Sequence, residues 1–96
     1  MTRFAIPKTI KHRDTKLMIK DIVKKIQNDR GLDISDIPQL HRMATAYDAY
    51  LECLEVLSDK GFTMINNKGE TVKRPEANLL KESWSQYLEL AKEYTA

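Results

Sequence analysis

Four carboxylates recur at helical spacing in the middle of the chain: Asp48, Glu52, Glu55 and Asp59 follow one another at steps of three and four. Carboxylates are what a two-metal nuclease requires, but such a centre converges acids from several elements on ions about 4 Å apart. A stripe along one helix is the ordinary solvated face of an amphipathic segment. An alternative role for it is contact with the basic first helix of an adjacent subunit, which would set the register of an assembly. His12 and His41 stand too far apart, with Cys53 as the one cysteine, to give zinc spacing. Cys53 has no histidine or acid arranged to activate it and reads as a small buried apolar residue. Gly31, Gly61 and Gly69 are scattered, and no Gly-Lys-Ser/Thr follows a strand, so there is no phosphate loop. No catalytic residue, metal or cofactor is expected, and the chain does not read as an enzyme.

The chemistry that does stand out is cationic. Residues 1–25 hold eight Lys or Arg and two Asp, a net of +6, whereas the rest of the chain is net −4. A basic end on an acidic body is the electrostatic footprint of a polyanion binder. The competing explanation is a solvated, lysine-rich leader that keeps the protein in solution. The leading candidates for DNA contact are Lys8, Lys11, Arg13, Lys16, Lys20 and Lys24, with Lys68, Lys73 and Arg74 as a second set. No helix-turn-helix is evident, so these contacts should fall on phosphates, giving affinity that drops steeply with salt and little base discrimination.

These side chains need elements to hold them, and 96 residues allow one small domain. A chain of this length buries a limited fraction of its surface, so association is a common route to stability. No apolar run approaches the ~20 residues that cross a bilayer. MTRFAIPKTIKHRD lacks the continuous apolar core of a secretory signal. A lone cysteine fits a reducing cytoplasm. The expected fold is mainly all-α: three helices, the last two paired as a long antiparallel hairpin, with a small β-hairpin flap between helices 2 and 3.

Residues 1–13 lack periodicity and contain Pro7, which predicts a basic arm ahead of a helical domain over 14–96. Helix 1 should start at Asp14 or Thr15 and run to about Asp29. Its stripe is Met18, Ile19, Ile22, Val23 and Ile26, while Lys16, Lys20 and Lys24 share another face. Gly31 then supplies the stop. Helix 2 should open with Asp36 as cap and Gln39 completing a capping box, and end at Gly61. It is about 36 Å long. Leu40, Met43, Tyr47, Tyr50, Leu54 and Leu57 form its heptad seam. Helix 3 opens at Pro75 and carries Leu80, Trp84, Tyr87 and Leu88 on the matching seam, with Leu79 and Leu90 well off it. These ten seam positions are expected to serve as core or as subunit contacts. Between the helices, GFTMINNKGETVKRPEA is longer than a plain connection requires. Phe62–Ile65 favour extended backbone, Asn66-Asn67-Lys68-Gly69 is turn-like, and Glu70–Lys73 can return as a partner strand. An isolated hairpin of that size is marginal in water. Its apolar residues should therefore rest on the helix ends or on a neighbouring subunit.

The run from Met43 to Tyr94 resembles the small subunit of bacteriophage terminase. The resemblance lies in AYDAYLECLEVLSDKGFT followed by NNKGETVKRPEANLLKESWSQYLELAKEY, with DIPQLHRMATAYDAY fitting the entry to the long helix. Tyr47, Tyr50 and Leu54 match the family's positions in that helix. Gly61 opens the loop, Asn67 and Gly69 fall in its turn, Arg74-Pro75 match the basic-Pro step, and Leu80 and Leu88 match the last helix. Roughly two thirds of the chain is covered. The resemblance implies a non-catalytic, oligomeric DNA-packaging adaptor, forming a ring in the cytoplasm of a bacterial host. Its implied partners are double-stranded phage DNA and the terminase large subunit, which holds the ATPase and nuclease. Two other readings stay open: a helical scaffold module that does not itself touch DNA, and a small prophage-encoded regulator that binds DNA as a dimer.

Overall fold

The computed structural model describes residues 3–95, apart from the side chain of Thr95; Met1, Thr2 and Ala96, at the ends of the two expected segments, lie outside them. The order is α1 (Arg13–Asp29), α2 (Asp36–Lys60), β1 (Thr63–Ile65), β2 (Thr71–Lys73) and α3 (Pro75–Thr95). The expected mainly helical fold with a two-stranded flap between the second and third helices is what the chain adopts.

The two long helices pair antiparallel, as their contacts show. Asp36 meets Tyr94, Tyr47 meets Tyr87 and Tyr50 meets Trp84, so positions rise along α2 as they fall along α3. Small buried residues (Ala46, Cys53, Ala77, Ser83 and Ala91) line these two helices and allow them to approach closely. Both glycine stops act as expected. Gly31, at φ 83°, donates its N–H to the Ile26 carbonyl at 3.0 Å. Gly61, also at φ 83°, donates to Leu57 at 2.8 Å. These are left-handed conformations that a Cβ resists.

Helix α1 covers only one half of that pair. The core gathers Ile19, Ile22, Val23 and Ile26 of α1 against Leu40, Met43 and Ala44 at the start of α2 and Ala91 near the end of α3. Residues ahead of α1 belong to this core as well: Ile10 is buried in it, and Phe4 and Ile6 pack on its margin. The Phe4 ring lies 5.2 Å from that of His41. The segment before Arg13 is thus irregular in backbone yet docked, because three apolar side chains find the open edge of the α-helical layer.

The seam residues divide accordingly. Leu40, Met43 and Leu57 are buried, and Tyr47, Tyr50, Leu80 and Tyr87 are half-buried. Leu54 is 38% exposed, Trp84 38% and Leu88 42%. Tyr47, Tyr50, Trp84 and Tyr87 form a closed circuit of ring contacts with centroids 4.8 to 6.1 Å apart. That circuit marks where the third layer ends. Beyond it Leu54 stands open to solvent, while Leu57 stays buried.

The flap is antiparallel, with Thr63 opposite Lys73, Met64 opposite Val72 and Ile65 opposite Thr71. Directly opposed residues share a face. Met64 and Val72 therefore form one face, and Thr63, Ile65, Thr71 and Lys73 the other, which is exposed throughout. Asn66 organises the turn: its side-chain oxygen accepts from the N–H groups of Lys68 at 2.9 Å and Glu70 at 3.0 Å. This is an Asx-type turn. Phe62 and Ile65 stay 59% and 71% exposed, so the helix ends do not supply the support their apolar surface calls for.

Candidate nucleic-acid interface

The start of α1 is held by a side chain from another helix. His12 is the residue before α1, and its own side chain caps nothing. Asp48 of α2 takes over: its carboxylate accepts the backbone N–H groups of Lys11 at 3.1 Å and His12 at 3.0 Å, and the Thr15 hydroxyl at 3.0 Å. A helix start carries unpaired N–H groups and partial positive charge, so a carboxylate there is favourable on both counts. Four residues on, Glu52 meets His12 Nε2 at 3.1 Å. The acidic face of α2 is thus partly occupied by the basic helix of its own chain. That departs from the sequence-based expectation of a purely solvated face at Asp48 and Glu52. The periodicity was right, but spacing along one helix does not reveal what lies across from it.

Replacing Asp48 with alanine should free those two amides and leave the fully buried Thr15 hydroxyl without an acceptor. The expected loss is about 2 kcal/mol, combining a cap and an unpaired buried hydroxyl. Amide exchange at Lys11 and His12 should quicken more than at Leu40 or Met43, which separates release of the helix start from general destabilisation.

At the other end of α1, Asp36 joins all three helices. The Asp36 carboxylate accepts a bidentate pair from Arg30 at 2.9 Å each, the Asp33 N–H at 3.0 Å and the Tyr94 hydroxyl at 3.2 Å. It is buried, and the capping box expected of it does not form. Ser35 precedes α2 with helical dihedrals and makes no side-chain cap, and Asp36 turns inward. The reason is competition: a guanidinium fork and a phenol outbid one helix amide as partners for a buried carboxylate. Hydrogen bonding from Arg30 holds the Asp36 carboxyl below the usual carboxylate range. Burial, reinforced by the Asp36 charge, pushes the Tyr94 hydroxyl up to about 12.

Between these anchors α1 presents its cations. Arg13, Lys16, Lys20 and Lys24 are all exposed and recur at steps of three and four, placing them on one flank of the helix. Asp14 and Asp21, seven apart, fall on a different side. From Arg13 to Lys24 the flank runs about 16 Å along the helix axis. Lys8 and Lys11 are exposed in the docked segment just ahead. Among the described residues the ion pairs are His12–Glu52 and Arg30–Asp36, and none of these six cations is in them.

The second set lies elsewhere. Lys68 is exposed in the flap turn and Lys73 on the flap's outward face, whereas Arg74 is half-buried with Nε shut from solvent and unpartnered. Along α2, Asp48 beside the start of α1 and Lys60 at the flap base are about 18 Å apart. The structure brings the first six residues together but does not join them to the flap.

The remaining chemistry is sparse. Burial pushes the Cys53 thiol up, with Glu76 and Glu52 adding to the effect, the reverse of an activated nucleophile. His12, Glu52 and Glu55 bring potential ligand atoms within 4.8 Å of one another, with His12 already engaged to Glu52. Among the described residues no helix is long and apolar enough to cross a membrane.

Compared with known families, residues 16–95 match the model described as phage terminase, small subunit. Comparison with curated proteins and with solved structures gives no match.

Proposed function

The chain belongs to the phage terminase small-subunit family, which places it in phage DNA packaging, and from that premise we propose that it is a non-catalytic, oligomeric adaptor. It holds double-stranded phage DNA through the α1 flank and presents it to the terminase large subunit. The observation that carries the DNA-binding part is the exposed flank of Arg13, Lys16, Lys20 and Lys24 with Lys8 and Lys11 ahead of it, all without ion-pair partners among the described residues. A surface lysine or arginine with no internal partner can exchange counterions for a phosphate at no cost in broken salt bridges. Docking of the preceding segment and the Asp48 clamp fix where this flank points, so little ordering is required on binding.

Self-association is supported by the bare half of the hairpin. Leu54, Trp84 and Leu88 on the seam, Leu79 off it, and Phe62 and Ile65 on the flap together expose more large apolar surface than scattered single residues would. A closed ring needs heterologous contacts between two different patches of each subunit. Both the seam and the flap offer such patches.

A salt titration of duplex binding tests the DNA contact. With six phosphates neutralised per subunit, the logarithm of affinity should fall with the logarithm of salt at a slope near −5. Salt-insensitive binding, or none at low ionic strength, favours the scaffold reading instead. Native mass separates a ring of many subunits from a dimeric regulator.

A further inference from the structure

The structure assigns a seat for the flap: we propose that the β-hairpin of one subunit docks in a pocket on the α2 flank of the next. This rests on the reading that the protein assembles with copies of itself, and it names the surfaces that meet. The pocket lies between the start of α1 and the second half of α2. Leu51 and Leu54 form its floor, and His12, Asp14, Glu55 and Asp59 stand around it. Among the described residues none of the three carboxylates has an ion-pair partner. It is an apolar floor inside an acidic rim.

The flap has the opposite character. Ile65 stands on its outward face at 71% exposure, with Lys73 on the same face. Phe62 is exposed at its base and Lys68 at its tip. A two-stranded sheet of three-residue strands is at best marginal in water, and here the helices leave Phe62 and Ile65 bare. An apolar knob flanked by ammonium groups matches in sign a recess lined by Leu51 and Leu54 with Asp14, Glu55 and Asp59 about it.

Position supports the same pairing. From Leu51 to Lys60, where the flap begins, is about 13 Å along α2. Recess and knob thus both belong to the flap half of the molecule. They are different patches, so each subunit offers a knob to one neighbour and a recess to the other, which is the arrangement that closes a ring.

Charge exchange tests the pairing. Three variants are compared with the wild type by native mass and light scattering, with circular dichroism to verify the fold: Lys68→Glu with Lys73→Glu, Glu55→Lys with Asp59→Lys, and all four together. Each pair alone should weaken assembly about tenfold or more by placing like charges face to face. The fourfold variant should regain the wild-type mass. Ile65→Asp should dissociate the assembly in either charge background. Either pair retaining the wild-type mass, or the fourfold variant failing to recover it, overturns the flap-in-recess contact. A wild type that remains a single subunit refutes self-association itself, which keeps the two failures apart.

Discussion

Changing Lys11, Arg13, Lys16 and Lys20 together to glutamine is expected to flatten the salt dependence of DNA binding by a slope of about 3.6. For six phosphate contacts per subunit, raising salt from 50 to 200 mM should cost the wild type about 2,000-fold in affinity; with two contacts left, the same change should cost about 12-fold. The effect is large because these side chains act through counterion release, which accumulates with each neutralised phosphate. It should also come without loss of fold. The four side chains are exposed, and the Asp48 contact at Lys11 is made by the backbone N–H rather than by the ammonium. Glutamine keeps that amide and suits a helix nearly as well as lysine. Binding that keeps its full slope in this variant would move the DNA site away from α1.

The second large effect concerns stability. Asp36→Ala should destabilise the protein by about 3 kcal/mol, because a buried carboxylate with four donors is removed at once. For a chain of this size that lowers the melting midpoint on the order of 15 °C. The Tyr94 hydroxyl and the Asp33 amide are the groups left wanting, since Arg30 is half exposed and can turn to water. The pH dependence has a definite sign. The Asp36 carboxyl titrates lower in the folded chain than in the unfolded one. Its stabilisation is therefore complete above the ordinary carboxylate range, about pH 4, and is lost as pH falls through the depressed folded value. The alanine variant lacks that contribution at every pH, so its acid-induced loss of stability should be shallower than the wild type's. Parallel acid titrations of the two would contradict the assignment.

Periodicity in the sequence was enough to find the helices, and the reason is visible in particular residues. Ile19, Ile22, Val23 and Ile26 are all buried, and α1 begins at Arg13, within two residues of the expected Asp14 or Thr15. The flap strands likewise fall inside Phe62–Ile65 and Glu70–Lys73. The basic flank was legible because lysines four apart must share a helix side. What stayed hidden depends on partners distant in the chain. Asp36 and Gln39 have the spacing of a capping box, but Tyr94, 58 residues away, and Arg30 claim the carboxylate. Asp48 looked like one member of a solvated stripe, and its partners lie more than 30 residues earlier. Phe4, Ile6 and Ile10 have no regular period because the segment is not a regular element, although Ile10 is as buried as Ile22 and Ile26 of α1. Seam spacing placed Leu40, Met43 and Leu57 at buried positions but did not single out Ala46, Cys53 and Ser83, which are buried as well, or reveal how far a third layer extends. Trp84 and Leu88 are consequently more open than their positions suggested.

The short reach of α1 has a consequence for how the protein melts. One end of the 57 Å molecule is three elements deep, and the other is two helices and a flap with little beneath it. Cooperativity need not be shared evenly between them, and local opening is expected to begin at the flap end. If subunits cover that end, dilution loosens it while the α1 end keeps its protection, and adding a subunit becomes partly an act of folding.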